Sequence, residues 1–298
     1  MQRSKLLFIT GKGGVGKTTV SATLGQASAQ SGQRTLIVEV NDSQQVPFLY
    51  QIKSESYQFV ELQPNLHSIS LTAELAIEDY IVQQLRSRRL YKLAFQNRFI
   101  KPLLNGAPGL HNAVQIGKIY ELVCSGDWDL IIVDAPATGH GITMLDAARH
   151  MMELTQIGPM YDANKDVEEI ISDRCNTAIL LVCIPEQLPT TECIELYHRL
   201  PRQRQNAVFG TLINQYDPSL HAQMPKEEPP LDSTAGVLYF KYHQQHQEAQ
   251  RLNQLPIPAL TLPFRLWTPK ETSQEATTVL FKLNAHFQNA MQNGFNHA

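Results

Sequence analysis

Leu6-Leu7-Phe8-Ile9-Thr10-Gly11-Lys12-Gly13-Gly14-Val15-Gly16-Lys17-Thr18-Thr19 is an apolar run that breaks into glycines and ends on a lysine and two threonines. The pattern is G-x-x-x-x-G-K-[ST], a loop whose backbone amides converge on phosphate. Its flanks suit that reading. Leu6 to Ile9 read as a buried strand; after the loop, Val20, Leu24 and Ala27 recur at helical spacing, and Gly32 is a helix stop. The glycines let successive N–H groups turn toward one anion, and the new helix aims its positive end at the same point. Gly13, Gly14, Val15, Gly16, Lys17, Thr18 and Thr19 are therefore expected to cradle a nucleotide. Lys17 would reach the β- and γ-phosphates, and the Thr18 hydroxyl would ligate Mg2+.

A rival pattern overlaps this one. Gly11, Gly13 and Gly16 also spell G-x-G-x-x-G, and Glu39 ends the next apolar strand near where a ribose-binding carboxylate belongs. Lys17-Thr18-Thr19 is superfluous to a dinucleotide fold and is what triphosphate chemistry uses. Leu130-Ile131-Ile132-Val133 is a further apolar strand, and it ends in Asp134, where such folds keep a carboxylate for the magnesium shell. The triphosphate reading is the stronger.

Outward from the loop, strand-like runs at 5–10, 35–40, 66–71, 129–134, 177–184, 207–214 and 257–262 alternate with helical stretches. This rhythm predicts an α/β fold of the P-loop NTPase type, a mostly parallel sheet flanked by helices. Two regions break it. Residues 74–125 hold helical pieces interrupted around Pro102, Asn105-Gly106 and Pro108-Gly109, and residues 142–173 are interrupted at Gly158-Pro159. They are expected to form a helical subdomain inserted into a single P-loop domain spanning 1–298. Residues 217–234, rich in proline and charge, read as an exposed loop, and a Gln- and His-rich helix with a solvated polar face follows from Val237 to Leu252.

With 298 residues the chain can bury a large core, and its 25 basic and 28 acidic residues leave a formal net charge of only −3. No global field recruits nucleic acid or an anionic membrane, so no specific nucleic-acid partner is expected. The basic start at Arg3 and Lys5 mimics a signal peptide, but the apolar stretch stops after four residues and enters the loop. No run approaches the ~18 apolar residues of a membrane span. A cytoplasmic protein is expected. Cys124, Cys175, Cys183 and Cys193 form no C-x-x-C pair, which disfavours a zinc clip or redox couple; Cys183 reads as a small core hydrophobe.

Several segments together carry a family resemblance. Lys12-Gly13-Gly14 puts a lysine early in the loop, as in the group containing MinD, ParA, nitrogenase iron protein and the arsenite-pump ATPase. Asp134-Ala135-Pro136-Ala137-Thr138-Gly139-His140-Gly141 resembles the switch II segment of the ArsA-like and tail-anchored-protein-targeting ATPases. Ala107-Pro108-Gly109-Leu110, Val182 to Pro189, Leu212-Ile213-Asn214-Gln215 and Leu262-Pro263-Phe264 resemble further motifs of that family, in the same order along the chain. The resemblance implies an ATP-binding, Mg2+-dependent ATPase, closest to single-domain bacterial forms. It implies a nucleotide-sandwich homodimer or paralogue heterodimer, in which loss of the γ-phosphate opens or closes a subdomain. Lys12 would reach the partner's phosphates as a charge-stabilising cation, Lys17 and Asp134 would join it in catalysis, and Thr18 and Asp134 would serve the metal. Asn214, with Pro263 and Phe264, would face the adenine, and Gly139 would let switch II move.

The sequence departs from the family pattern at three points. Switch I in the family usually reads S-T-D-P-A-H; here Glu39-Val40-Asn41-Asp42-Ser43-Gln44 stands instead, with Asn41 at the position of the water-orienting aspartate. Asp42 or Glu39 would substitute only in a shifted loop. An asparagine is a poor base, so a nucleotide-gated scaffold with little hydrolysis is the alternative to an ATPase. The targeting branch's C-x-x-C clip is missing, and no cysteine spacing supports an arsenite site. Elsewhere, Met144, Met151, Met152 and Met160 either pack the helical insertions or face an apolar client segment. The stripe of Leu110, Val114, Ile119, Leu122 and Val123 reads as core. Arg86, Arg88 and Arg89 read as solvated surface, Lys118 as solvated surface or else a partner contact, and His140 as either a phosphate contact or a structural histidine.

Overall fold

In the computed structural model, the described residues are 4–40, 44–85, 109–137, 143–225, 227–263 and 277–283. The sequence elements around Pro102, Asn105, Ala107, Pro108, Gly139, His140 and Phe264, the three arginines at 86–89, and Asn41 to Ser43 lie outside them.

Eight strands form one sheet in the order β3-β4-β2-β5-β1-β6-β7-β8. They are β1 (Lys5–Thr10), β2 (Thr35–Glu39), β3 (Val60–Gln63), β4 (Leu66–Ser70), β5 (Leu130–Asp134), β6 (Thr177–Cys183), β7 (Val208–Asn214) and β8 (Ala259–Leu262). All neighbours pair in parallel except β3, which runs antiparallel to β4 at the edge. The parallel strands read as unbroken apolar runs because both faces are covered. Successive side chains alternate between two cores. Leu6, Phe8, Ile131 and Val133 point to one, and Leu7, Ile9, Ile132 and Leu180 to the other.

The second core is closed by α1 (Lys17–Gln30), through Val20, Leu24 and Ala27, and by the short α2 (Gln45–Leu49) through Val46. Gly25 lets α1 lie close to the sheet, since a Cβ there would sit 2.7 Å from Ile37 Cδ1. α3 (Ala73–Leu85) packs on α4 (Leu110–Ser125), which covers the first core together with α5 (Ala147–Thr155) and α6 (Pro159–Ser172), and α7 (Gln187–Arg199) and α8 (Arg202–Ala207) complete the cover. Arg204 from α8 ties this side together. It is almost wholly buried, and donates to Leu145 O at 3.0 Å and Glu168 Oε2 at 2.7 Å. No helix among the described residues is long and apolar enough to cross a membrane.

Four features differ from the sequence expectations. The hairpin strand β3 has no counterpart among the expected runs, because an edge strand with one wet face carries little apolar signal. Its turn is Pro64-Asn65, with Asn65 at φ 66°. The expected loop at 217–234 contains α9 (Pro218–Ala222), capped by Asp217, whose carboxylate accepts from Ser219 N at 2.9 Å with Pro218 in the first turn. The Gln- and His-rich helix α10 (Thr234–Leu252) starts earlier than expected, at a Ser233 cap, and its polar face is partly used. His246 meets the Tyr216 hydroxyl at 2.8 Å and stacks on His221 of α9, ring centroids 3.7 Å apart. Lys118 is no free surface charge: its ammonium lies 2.7 Å from Asp79 and 2.8 Å from Glu121.

Candidate functional site

β1 lies between β5 and β6, so the carboxyl end of β1 is where the chain's crossovers diverge, the place open parallel sheets use for ligands. The loop leaves that end. Gly11 is tight against the neighbouring strand, since a Cβ there would run into Val182 O. Gly16 sits at φ 90° and opens α1. In register beside β1, Ile9 pairs with Asp134, and Asp134 pairs in turn with Glu39 of β2. Three strand ends thus bring the loop and two carboxylates together.

A cavity of about 310 Å³ opens over the loop. Gly14, Gly16, Lys17, Thr18, Thr19 and Asp134 all line it, so most of the expected loop residues share one space with the β5 carboxylate, while Gly13 and the buried Val15 are not among its lining. Thr18 Oγ1 donates to Asp134 Oδ2 at 2.6 Å. The other oxygen of Asp134 is buried without a hydrogen-bond partner among the described residues, and the residue is 2% exposed. Burial pushes its carboxyl up, opposed by the Thr18 hydroxyl and the Lys17 ammonium. Lys17 curls back, donating to Gly11 O and Lys12 O at 3.0 Å each. Burial lowers its pKa from the usual lysine value, with Asp134 holding against that shift. A hydroxyl and a buried carboxylate with an open valence are hard oxygen donors of the kind Mg2+ takes, alongside phosphate oxygens and water. These residues fit the ion.

Other expected site residues stand apart from this cavity. The Lys12 ammonium is 2.7 Å from Glu192 Oε1 on α7. Asn214 sits under the loop, nearly buried, and its Nδ2 donates to Val15 O at 2.8 Å. It therefore pins the loop backbone, with Val15 itself buried behind it. Pro263 is half-buried just past β8, whose Leu262 pairs with Asn214.

Gln45 at the start of α2 also lines the cavity, and no motif announced it. Its placement follows from Glu39, whose Oε1 accepts from Gln45 N at 2.7 Å and Val46 N at 3.1 Å. Glu39 is wholly buried, and burial pushes its carboxyl up to about 7, against the two amides and with Asp134 adding to the rise. Of the candidate client face, Met144 is fully buried and Met151 half-buried. Met151, Leu110 and Val114 line a separate cavity of about 260 Å³ among α3, α4 and α6; Ile119, Leu122 and Val123 are core. Cys183 and Cys193 are buried free thiols. Their mutual contact and burial raise the Cys183 pKa and keep it protonated.

The chain matches the family described as Anion-transporting ATPase over residues 4–158, a span covering more than half its length and containing the loop, β2 and the Asp134 strand. The chain belongs to the anion-transporting ATPase family. Among relatives of this ATPase family, it is 28% identical to ATPase BagA of Mycobacterium tuberculosis (strain ATCC 25618 / H37Rv) over 232 residues, 72% of this chain and 66% of that protein. It is 25% identical to ATPase ASNA1 homolog 1 of Paramecium tetraurelia over 263 residues, 72% of this chain and 75% of that one. It is 26% identical to the ATPase ASNA1 homolog of Entamoeba histolytica over 255 residues, covering 73% and 78%. The chain thus spans about two thirds of the length of the mycobacterial relatives it matches. The parallel sheet flanked by helices is the P-loop fold that the family resemblance implied.

Proposed function

We propose that this chain is a Mg2+-dependent ATPase that works as a cytoplasmic dimer, of two copies or with a paralogue, and turns the ATP or ADP state into movement of its helical layer. The observation that carries the reading is Thr18 bonded to Asp134 inside a cavity walled by the glycine loop and Lys17. Lys17 would hold the β- and γ-phosphates once it gives up its contacts with the Gly11 and Lys12 carbonyls. Thr18, with Asp134 through water, would hold the ion, which supplies positive charge to the phosphate oxygens. Lys12 would leave Glu192 to reach a partner's phosphates, and Asn214 would keep the loop in its binding shape. The helices within 74–125 and 142–173 would act as the moving subdomain, with an apolar client segment as its load.

Phosphate release by the purified protein, with Lys17→Ala as the blank, tests this. Release above the blank is expected. Turnover equal to the blank, with ATP still bound, selects the second reading, a nucleotide-gated scaffold. Asn41 at the usual switch I aspartate position favours that reading.

A further inference from the structure

The polar groups around the phosphate-side cavity come from the loop and α1 (Lys17, Thr18, Thr19), from β5 (Asp134) and from α2, which contributes Gln45. Lys17 is engaged with two carbonyls and Thr18 with Asp134. Gln45 is different. Its side chain is exposed at the cavity, and its carboxamide makes no hydrogen bond with any described residue. Its backbone, by contrast, is fixed. Gln45 N and Val46 N share Glu39 Oε1, and the Val46 side chain is fully buried in the core beneath α1. Glu39 itself is fully buried at the end of β2, in register with Asp134 on β5. A buried carboxylate thus holds the Cα of Gln45 against the strand ends that carry Asp134, and leaves a neutral amide at the cavity.

The geometry points to Gln45 as the residue that orients the attacking water in ATP hydrolysis, with Glu39 as the positioning residue that holds it; the inference rests on the ATPase reading above. In the step, the water oxygen bonds to the γ-phosphorus while the bond from that phosphorus to the β,γ-bridging oxygen breaks. ADP leaves with the electron pair, and the water's proton passes to a γ-phosphate oxygen, giving inorganic phosphate. Gln45 takes no proton. Its Oε1 accepts a hydrogen bond from the water and its Nε2 donates to a γ-phosphate oxygen, so one planar amide sets both distance and angle. Other phosphate-loop enzymes use glutamine in this way, because a loose transition state needs alignment more than a strong base. An asparagine at position 41 is then no obstacle to turnover.

Two measurements on the full chain with Mg2+ test the assignment: single-turnover phosphate release, and ADP affinity with and without aluminium fluoride, which mimics the γ-phosphoryl group in transit. Gln45→Ala should slow release on the order of 100-fold, with ADP affinity within about threefold of the parent. Aluminium fluoride should tighten ADP binding to the parent and fail to do so in Gln45→Ala and in Gln45→Glu, which keeps an acceptor for the water but has no donor for the phosphate oxygen. Glu39→Ala should copy Gln45→Ala, whereas Glu39→Gln, which keeps an acceptor oxygen for both amides, should retain parental behaviour. Parental release and tightening in Gln45→Ala overturn the assignment. So does a parent that binds ADP but gains nothing from aluminium fluoride. A parent that binds ADP no better than Lys17→Ala brings down the nucleotide reading, and this inference with it.

Discussion

The Lys12 ammonium and the Glu192 carboxylate lie 2.7 Å apart, joining the glycine loop to the helix that follows β6. In the proposed dimer this lysine serves the other subunit, so the contact within the chain competes with closure. Both side chains are a quarter to a third exposed, which limits such a pair to about 0–1 kcal/mol. Glu192→Gln should therefore strengthen ATP-dependent self-association no more than about fivefold. Sedimentation with a non-hydrolysable analogue measures this; weaker association than the parent would show that Glu192 supports the closed state.

Gly16 and Asn214 form a second coupled pair. A Cβ at position 16 would run into Asn214 Nδ2, and the residue sits at φ 90°. Gly16→Ala should displace the amide that holds Val15 O and cost about 1–3 kcal/mol in urea unfolding. Asn214→Ala should cost about 1–2 kcal/mol through the unpaired carbonyl alone. Both should weaken nucleotide binding, and the double variant should lose less than the sum.

Glu39 predicts a pH dependence of stability. Its folded pKa, about 7, lies above the ordinary carboxylate range, so the folded state binds the extra proton between the two values. Stability from this group is therefore full below about pH 4.5 and falls as pH rises toward 7, with a total near 3 kcal/mol. Denaturant unfolding at pH 5 and pH 8 should show the loss in the parent and a flatter profile in Glu39→Gln. Equal slopes in the two proteins would falsify the burial account.

Lys118 should matter to the helical layer. Its ammonium bridges Asp79 on α3 and Glu121 on its own helix α4, and lies 5.7 Å from the ring centre of Tyr57, whose hydroxyl donates to Asp79 at 2.9 Å. Burial alone would lower the lysine pKa; the two carboxylates outweigh it and raise it. A double-mutant cycle with Lys118→Met and Asp79→Asn should return a coupling of about 1 kcal/mol. A cycle closing at zero would make the bridge decorative.

The sheet's interior is legible in the sequence. Strands such as Leu130 to Asp134 are covered on both faces and so are apolar without interruption. The hairpin strand Val60–Gln63 is hard to read because it has only two apolar residues, Val60 and Leu62, alternating with Glu61 and Gln63 on the other face. At the site, Lys17, Thr18 and Asp134 announced themselves by motif and by strand-end position, whereas Gln45 follows no motif. It reaches the cavity because Glu39, six residues earlier, captures its backbone amide.

The linear order of residues was enough to specify the anion cradle, since consecutive amides, a glycine curl and a helix start are all local geometry. It was enough, too, for the P-loop architecture, because runs covered on both sides have to be apolar throughout. Folding in space assigned the partners. Thr18 meets Asp134 across 116 positions, Lys12 meets Glu192 across 180, and Asn214 meets Val15 across 199. Separations of that kind are set by which strands lie side by side, and strand order is a property of the packed sheet, which no local periodicity encodes.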